Sequence, residues 1–191
     1  DAPTGNISYD SAKVWMQHPF VQKAIPLAFG DNYRGYKILG TTPDYLEKYG
    51  AKISKGKLFE TKFEVVIGSD IAQKLSLKIG DEFFGSHGDA AEGEVHDHYA
   101  YKVVGIAKPT GKVVDNLILC TIPSVWQMHG SHGEEGNPAH GEEGHVHVEG
   151  EEHHEEADMT LDEPGMEITA VLLKFRNKMG IVTWPRIIAQ N

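Results

Sequence analysis

Residues 99–107 read YAYKVVGIA, and this stretch decides the fold. Tyr, Val and Ile are enriched in β-strands because branched and aromatic side chains pack well on a pleated surface. The run therefore predicts the strongest strand of the chain. The elements on either side of it determine the class of the fold.

Shorter apolar runs on both sides predict further strands. These strands cover residues 20–28, 36–40, 64–68, 82–85, 116–122 and 167–175. Short helices are predicted between them, from capping and turn residues. The helices cover residues 12–17, 42–48, 71–75, 123–128 and 179–189. Helices and strands alternate without a dominant βαβ repeat, so the predicted class is α+β.

Capping and turn residues give the expected ends of these elements. Ser8 or Asp10 begins the first helix, because either side chain can accept from free backbone N–H groups. Thr42 is the expected cap of the second helix, and Ser69-Asp70 that of the third. Gly30-Asp31-Asn32 predicts the turn between the first two strands.

The composition excludes several classes of protein. A chain of 191 residues predicts one domain or two small ones. It contains no run of about 18 apolar residues that could span a membrane. It has no basic patch for nucleic acid, and it lacks the GxSxG, P-loop, Rossmann and HExxH motifs. No catalytic residue and no organic cofactor are therefore predicted, and the single cysteine, Cys120, is expected to be a small buried hydrophobe.

A second stretch differs from everything around it. Residues 129–158 read HGSHGEEGNPAHGEEGHVHVEGEEHHEEAD, with seven of the 11 histidines, ten acidic residues and no Lys or Arg. The remaining chain has 18 acidic and 18 basic residues, so the formal net charge of −10 lies in this His/Glu-rich segment. Such a composition cannot bury enough apolar surface to fold by itself.

The histidines predict weak binding of several metal ions. Neutral imidazole binds Zn²⁺, Cu²⁺ and Ni²⁺, and carboxylates can complete the coordination shell. His145 and His147 would share one side of an extended strand, and the same spacing recurs in a second loop, 87–98. The loose spacing favours exchangeable sites over one closed site. The candidate ligands are His96, His98, His129, His132, His140, His145, His147, His153 and His154.

Two other interpretations of the His/Glu-rich segment stay open. It could be a solvated acidic linker in which the histidines are incidental. It could also sense pH, because neighbouring carboxylates raise histidine pKa values and the segment would then change charge near neutrality. Metal binding is favoured because seven histidines in one segment are far above background.

An ordered series of short motifs resembles a known family. The motifs are ILGTTPDYL at 38–46, GKLF at 56–59, VVIG at 65–68, IGD at 79–81 and YKVVGI at 101–106. Together they are similar to the extracytoplasmic core domain of MacB/FtsX/LolC-type ABC-transporter permeases. Each motif alone is common, and the order of all five carries the resemblance, which covers residues 20–125 and 165–191. Lys57 stands where the family patterns often carry Arg.

The resemblance implies a MacB-like periplasmic core domain with two subdomains. A discontinuous outer α/β subdomain, near the membrane, would comprise residues 1–60 and 165–191. A β-rich subdomain, residues 61–128, would be inserted in it, and residues 129–158 would form an insertion loop. The family's domain lies between two transmembrane helices, so such helices are expected on both sides of this chain. The chain would then lie on the extracytoplasmic, periplasmic side of the cell membrane.

The implied function is a non-catalytic one. The domain would transmit ATP-driven motion, or engage a substrate or partner, outside the membrane, and its His-rich loop would bind metal. The implied partners are the ATP-binding subunit, a second permease copy and a periplasmic partner or substrate. The alternative is a stand-alone periplasmic zinc-binding or metal-delivery protein, which a signal peptide without flanking hydrophobic helices would favour. An enzyme is the third interpretation, and it would need a pocket with a perturbed acid–base pair.

Overall fold

An eight-stranded sheet forms the centre of the computed structural model, which describes residues 6–86, 99–130 and 165–189 except for the side chains of 129 and 130. The described strands are β1 (Ile7–Ser8), β2 (Val21–Tyr33), β3 (Tyr36–Gly40), β4 (Ile53–Gly56), β5 (Glu64–Ile67), β6 (Glu82–Phe83), β7 (Tyr101–Ala107), β8 (Ile118–Cys120), β9 (Glu167–Ile168) and β10 (Ala170–Phe175). The described helices are α1 (Tyr9–Met16), α2 (Asp44–Tyr49), α3 (Ser69–Leu75), α4 (Ile122–Gly130) and α5 (Lys178–Ala189), with a 3₁₀ turn at Val113–Asn116.

The sheet combines strands from both ends and from the middle of the chain. Its order is β10-β2-β3-β8-β5-β7-β4, and β6 pairs with β7 beside this path. The pairs β3–β8 and β5–β7 are parallel, and the other pairs are antiparallel. β1 and β9 form a separate antiparallel pair. Strands β10 and β4 therefore lie at the two edges of the sheet.

Each face of the sheet carries its own apolar core. Val65 and Ile67 of β5 pack into one core, together with residues of α1, α3 and α4. Val66, between them, packs into the other core with Tyr45 and Leu46 of α2. All three β5 side chains are 0% exposed, so this strand is buried on both faces. Alternating side chains of a strand point to opposite faces, and here helices cover both.

The strand predicted from YAYKVVGIA is confirmed as β7, and most of the other predicted strands are present. The predicted turn at residues 30–32 is wrong, because β2 continues through it to Tyr33. Asp31 and Asn32 are buried, and the backbone N–H of Asn32 donates to the Ser86 carbonyl at 3.1 Å. The chain reverses at Arg34 and Gly35 instead, both with positive φ. Tertiary pairing therefore overrides the local turn preference of Gly-Asp-Asn.

Two of the three predicted helix caps are wrong. Ser8 caps α1, since its hydroxyl accepts from the Ser11 N–H at 3.4 Å. Thr42 does not cap α2, which has no side-chain cap. The third predicted cap also fails, because α3 begins after Gly68 and Ser69 is already helical. These short helices are held by burial of one face, so they need little capping energy.

Helices arranged around one mixed sheet confirm the α+β class. Segments of the predicted outer and inserted subdomains share this sheet, through the pairs β3–β8 and β4–β7. The boundary between the outer and inserted subdomains at residues 60/61 stays a prediction. Among the described helices, none combines the length and the apolar character that a membrane crossing requires.

Candidate functional site: the aromatic junction and the groove beside β10

Five rings join the two helices that lie nearest to the ends of the described chain. We call them the aromatic junction; its members are Trp15, His18, Phe20, Phe175 and Trp184. Trp184 of α5 is at the centre, with ring centroids 5.0 Å from Phe175, 5.1 Å from His18 and 5.7 Å from Trp15. All three contacts are edge-to-face, the arrangement that the charge distribution of aromatic rings favours.

Hydrogen bonds that involve backbone groups hold the two chain segments of the junction in place. The backbone N–H of Arg176 donates to the Phe20 carbonyl at 2.9 Å, and its guanidinium Nε donates to the Pro19 carbonyl at 3.0 Å. The Phe20 N–H donates to Nδ1 of His18 at 3.2 Å. The α1–β2 corner and the β10–α5 corner are therefore held together, although Pro19 and Arg176 are 157 residues apart in sequence.

A second set of contacts joins the same two parts of the chain at the start of α1. The Tyr9 N–H donates to the Met166 carbonyl at 2.8 Å, where α1 begins. The indole Nε1 of Trp126 donates to the Glu167 carbonyl at 2.7 Å, and its ring lies edge-to-face against Tyr9 at 5.8 Å. The N-terminal end of α1 is thus anchored to the segment that leads into β10, and Trp15 near its C-terminal end contacts Trp184 of α5.

A groove of about 470 Å³ runs between β10 and α2. Its floor is apolar, and its walls carry four charged side chains. The lining residues are Gln22, Lys23, Ile25, Glu47, Lys48, Leu172, Leu173 and Lys174. Lys23 donates to Glu47 at 2.7 Å and to Asp44 at 2.9 Å, and these hydrogen bonds raise the pKa of Lys23. Lys48 and Lys174 are exposed, and neither makes an ion pair within the part of the chain that the structure describes.

A comparison with known protein families identifies the kind of domain that contains this junction and groove. The model of the MacB-like periplasmic core domain matches residues 2–156. The chain belongs to that family. The recognised resemblance is confirmed, and the matched range starts before the quoted motifs and reaches into the His/Glu-rich segment. This chain is accordingly an extracytoplasmic domain of an ABC-transporter permease.

Solved structures share the fold of this MacB-like domain. The periplasmic region of MacB from Actinobacillus actinomycetemcomitans aligns with a TM-score of 0.58 at 10% identity, covering 97% of this chain and 72% of that one. The extracellular domain of the noncanonic ABC-type transporter YknZ from Gram-positive bacteria aligns with a TM-score of 0.54, also at 10% identity, covering 93% and 78%. No curated protein sequence matches the chain. At such low identity the structures establish the fold alone.

The predicted metal ligands of this MacB-like domain lie outside the described residues. That holds for His96, His98, His132, His140, His145, His147, His153 and His154. The backbone of His129 lies near the end of α4, and its side chain is outside the description. Within residues 6–86, 99–130 and 165–189, no group of three or more His, Cys, Asp or Glu side chains could hold a metal ion. The metal prediction therefore stays a prediction.

Two buried polar groups, Cys120 and Tyr101, belong to the core that α1, α3 and α4 cover. Cys120 is 0% exposed, as its sequence context predicted, and burial raises the pKa of its thiol to about 12. Tyr101 is also 0% exposed, and burial raises the pKa of its hydroxyl. Both groups therefore stay protonated and shielded from water at neutral pH.

The sequence alone did not predict the junction. Trp184 is 8% exposed, and Trp15 and His18 are half-buried. His18 lies just after the end of α1 at Met16. A single sequence contains no information that would pair His18 with Trp184, because the contact depends on the distant pairing of β2 with β10.

Proposed function

We propose that this domain couples movement of the permease's membrane segments to movement outside the membrane, and that the aromatic junction is the coupling element. The observation that carries the proposal is the direct packing of α5 on the α1–β2 corner through Trp184. Both elements are then attached to one sheet, so a displacement of either helix moves the whole domain.

The junction is suited to transmit displacement because three rings contact the buried Trp184 at the same time. Edge-to-face aromatic pairs contribute roughly 0.5–1.5 kcal/mol each beyond the burial of their surface. The Arg176 hydrogen bonds to Phe20 and Pro19 remove the remaining freedom at the corner. A packed interface of this kind shifts as a unit rather than deforming continuously.

The partners of the permease follow from the same proposal. The ATP-binding subunit would supply the motion, and a second permease copy would carry a second domain of this kind. A periplasmic partner or the substrate would receive the motion. The family match favours this arrangement over a stand-alone periplasmic metal-delivery protein.

A distance measurement in the assembled permease tests the coupling. Spin labels at Lys55→Cys in the two copies report the position of the domain far from the junction, and the buried native Cys120 leaves them the only reactive sites in the described part of the domain. We expect ATP to change the label–label distance in the otherwise unaltered protein. Trp184→Leu should abolish that change while ATP hydrolysis stays within about twofold.

The matched control removes an aromatic pair elsewhere. Tyr49 packs on Tyr45 of α2, with centroids 4.8 Å apart and no contact to the junction. Tyr49→Leu should leave the ATP-dependent distance change intact. A distance change that survives Trp184→Leu, or that is lost equally in Tyr49→Leu, would contradict the role of the junction.

We also propose that the His/Glu-rich segment binds several Zn²⁺ ions, or Cu²⁺ or Ni²⁺, weakly and with fast exchange. Its seven imidazoles and ten carboxylates exceed the four ligands of a tetrahedral zinc site. His145 with His147 and His153 with His154 are the best-paired ligands, and His96 and His98 could add to them. The segment would concentrate metal near the transporter or sense it.

Isothermal titration with Zn²⁺ tests the metal proposal. Changing all seven histidines of the segment to Gln should remove most of the stoichiometry, whereas changing its ten acidic residues to Gln or Asn should remove less. Binding to the unaltered domain should weaken below about pH 6, because protonated imidazoles are not ligands. Equal stoichiometry in the unaltered domain and the histidine variant would leave a solvated acidic linker as the better interpretation.

A further inference from the structure

The two edges of the sheet are protected very differently. The β4 edge is four residues long, and its surroundings are basic, with Lys52 and Lys55 exposed. Short, lysine-bearing edges resist pairing with other chains. The β10 edge is six residues long and reads AVLLKF, with four half-buried apolar residues in succession. Natural sheets avoid such an edge unless it serves for pairing.

The backbone of β10 has hydrogen-bonding groups at this edge that no strand in the described part of the chain pairs with. Pro26 of β2 lies opposite Val171, and its carbonyl accepts from the Thr41 hydroxyl at 3.0 Å on the β3 side. Pro26 has no N–H, so it and Val171 form a non-hydrogen-bonded pair. The N–H and C=O of Val171 therefore point away from β2. Leu173, two residues on, repeats this orientation, and within the described residues no strand pairs with that side of β10.

The groove beside β10 would accept the side chains of an added strand. Leu172 and Ile25 form its floor, and α2 forms its far wall. Lys48 and Lys174 stand along it as exposed cations, whereas Lys23 is engaged by Asp44 and Glu47. An open edge strand next to a groove under a helix is an arrangement that binds extended peptides, with main-chain bonds for affinity and side-chain positions for specificity.

We propose that the β10 edge and groove receive an extended segment of a partner protein, apolar at alternate positions and acidic beside Lys48 and Lys174. The segment adds to the sheet as a further strand, its alternate side chains entering the groove. This inference deepens the proposed function, since a partner docked there would receive the motion of the domain. It is tested without ATP or the membrane, so its failure is distinguishable from failure of the coupling.

A labelled peptide of sequence ETVTVTE, acetylated and amidated at its ends, is the probe. Its valines and glutamates share one face, and we expect saturable binding that protects the amides of Val171 and Leu173 from hydrogen exchange. Two N-methylated forms sharpen the test. Methyl groups on the amides that face β10 abolish strand pairing, and methyl groups on the alternate amides leave it intact, so one form should bind and the other should not.

Charge-reversal variants locate the site. Lys48→Glu with Lys174→Glu should weaken binding of the peptide at least about tenfold, because both acidic ends of the peptide then meet like charges. Lys52→Glu with Lys55→Glu, on the β4 edge, should change it by less than about twofold. All four positions are exposed, so the variants keep the fold.

Four outcomes would overturn the proposal. One is no binding of the peptide up to about 1 mM, and another is equal binding by the two methylated forms. A third is a concentration-dependent dimer in which Val171 and Leu173 are already protected, which would make a second copy the occupant. The fourth is protection in the monomer that disappears when residues 131–164 are replaced by a Gly/Ser linker of equal length, which would make the chain its own occupant.

Discussion

The inner strands β5, β7 and β8 and the outer pair β2–β10 belong to one sheet but are built differently. In the inner strands, Val65, Ile67, Val103 and Ile118 are all 0% exposed, and helices cover both faces. In the outer pair every apolar residue of β10 is half-buried, and no strand of the described residues pairs with one edge of β10. The inner strands hold the fold, whereas the outer pair carries the junction and the groove.

The difference shows where a domain of this kind keeps its adaptable surface. Burial on both faces leaves the inner strands no group to offer a partner, but it gives the sheet a stiff centre. The outer pair is less buried, and it carries the charged groove and backbone groups that no other described strand pairs with. Function is therefore expected where the sheet is least complete.

The largest expected difference between the two regions is in thiol reactivity. Cys120 of β8 is fully buried, and its thiol has a pKa raised to about 12, so almost no thiolate is present at pH 8. A cysteine placed on the outer pair by Lys174→Cys is exposed. We expect iodoacetamide to label Cys120 at least about a thousandfold more slowly than the cysteine at position 174. Mass spectrometry of the Lys174→Cys variant, which contains both cysteines, measures both labelling rates. Similar rates would mean that the inner strands open readily.

Core truncation should also separate the two regions. Ile67→Ala removes a 0% exposed side chain from β5 and should lower the free energy of unfolding by about 4 kcal/mol. Leu172→Ala, in the half-buried β10, should lower it by about 1–2 kcal/mol, since less surface is lost and water can fill the space. Urea unfolding followed by tryptophan fluorescence measures both. Equal losses would remove the distinction between inner and outer strands.

A buried carboxylate gives the inner strands a dependence on pH. Asp115, just before β8, accepts from the Thr110 N–H at 3.0 Å and from the Gly111 N–H at 2.7 Å. Burial acts to raise the pKa of Asp115, but these hydrogen bonds outweigh it, so the pKa is lowered. In the unfolded chain the pKa of Asp115 is about 3.9, and in the folded protein it is lower. The ionised carboxylate therefore stabilises the fold at pH values above the unfolded pKa, and this stabilisation is lost as the pH falls through the folded pKa.

Replacing this carboxylate should therefore matter most at neutral pH. Asp115→Asn should lower the free energy of unfolding by about 2 kcal/mol at pH 7, and the loss should shrink as the pH falls below about 4. Asp10→Asn is the control, because that carboxylate is exposed and should contribute less than about 0.5 kcal/mol. Urea midpoints between pH 7 and pH 3 measure the effect. A loss independent of pH would mean that the charge of Asp115 is not what stabilises the loop.

Sequence predicted the inner strands better than the outer pair, for a physical reason. Val65, Val66 and Ile67 are β-branched and fully buried, so local preference and tertiary environment agree. At residues 30–32 they disagree, because the Gly-Asp-Asn preference for a turn yields to pairing with Ser86. The strand predicted at 167–175 is interrupted at Thr169, where the chain passes from β9 to β10.

The candidate site was less predictable than the fold. The aromatic junction and the β10 groove both depend on which distant strands become neighbours, and a single sequence does not contain that information. Order along the chain was still enough to identify the family, because the motifs at 65–68 and 101–106 lie on the inner strands β5 and β7, and the motif at 38–46 lies on β3 and α2 beside them. Residue-level function depends on the outer pair, where the local patterns are weak.

The smallest expected effect comes from the most unusual part of the sequence. The His/Glu-rich segment has too few apolar residues to contribute much to a core. Replacing residues 131–158 with a Gly/Ser linker of equal length keeps the loop-closure entropy unchanged and should alter the free energy of unfolding by less than about 0.5 kcal/mol in chelator. Thermal unfolding of both proteins, with and without Zn²⁺, measures this. Loss of cooperative unfolding in the replacement would show that the segment is part of the folded body, and the boundary at its start would then be wrong.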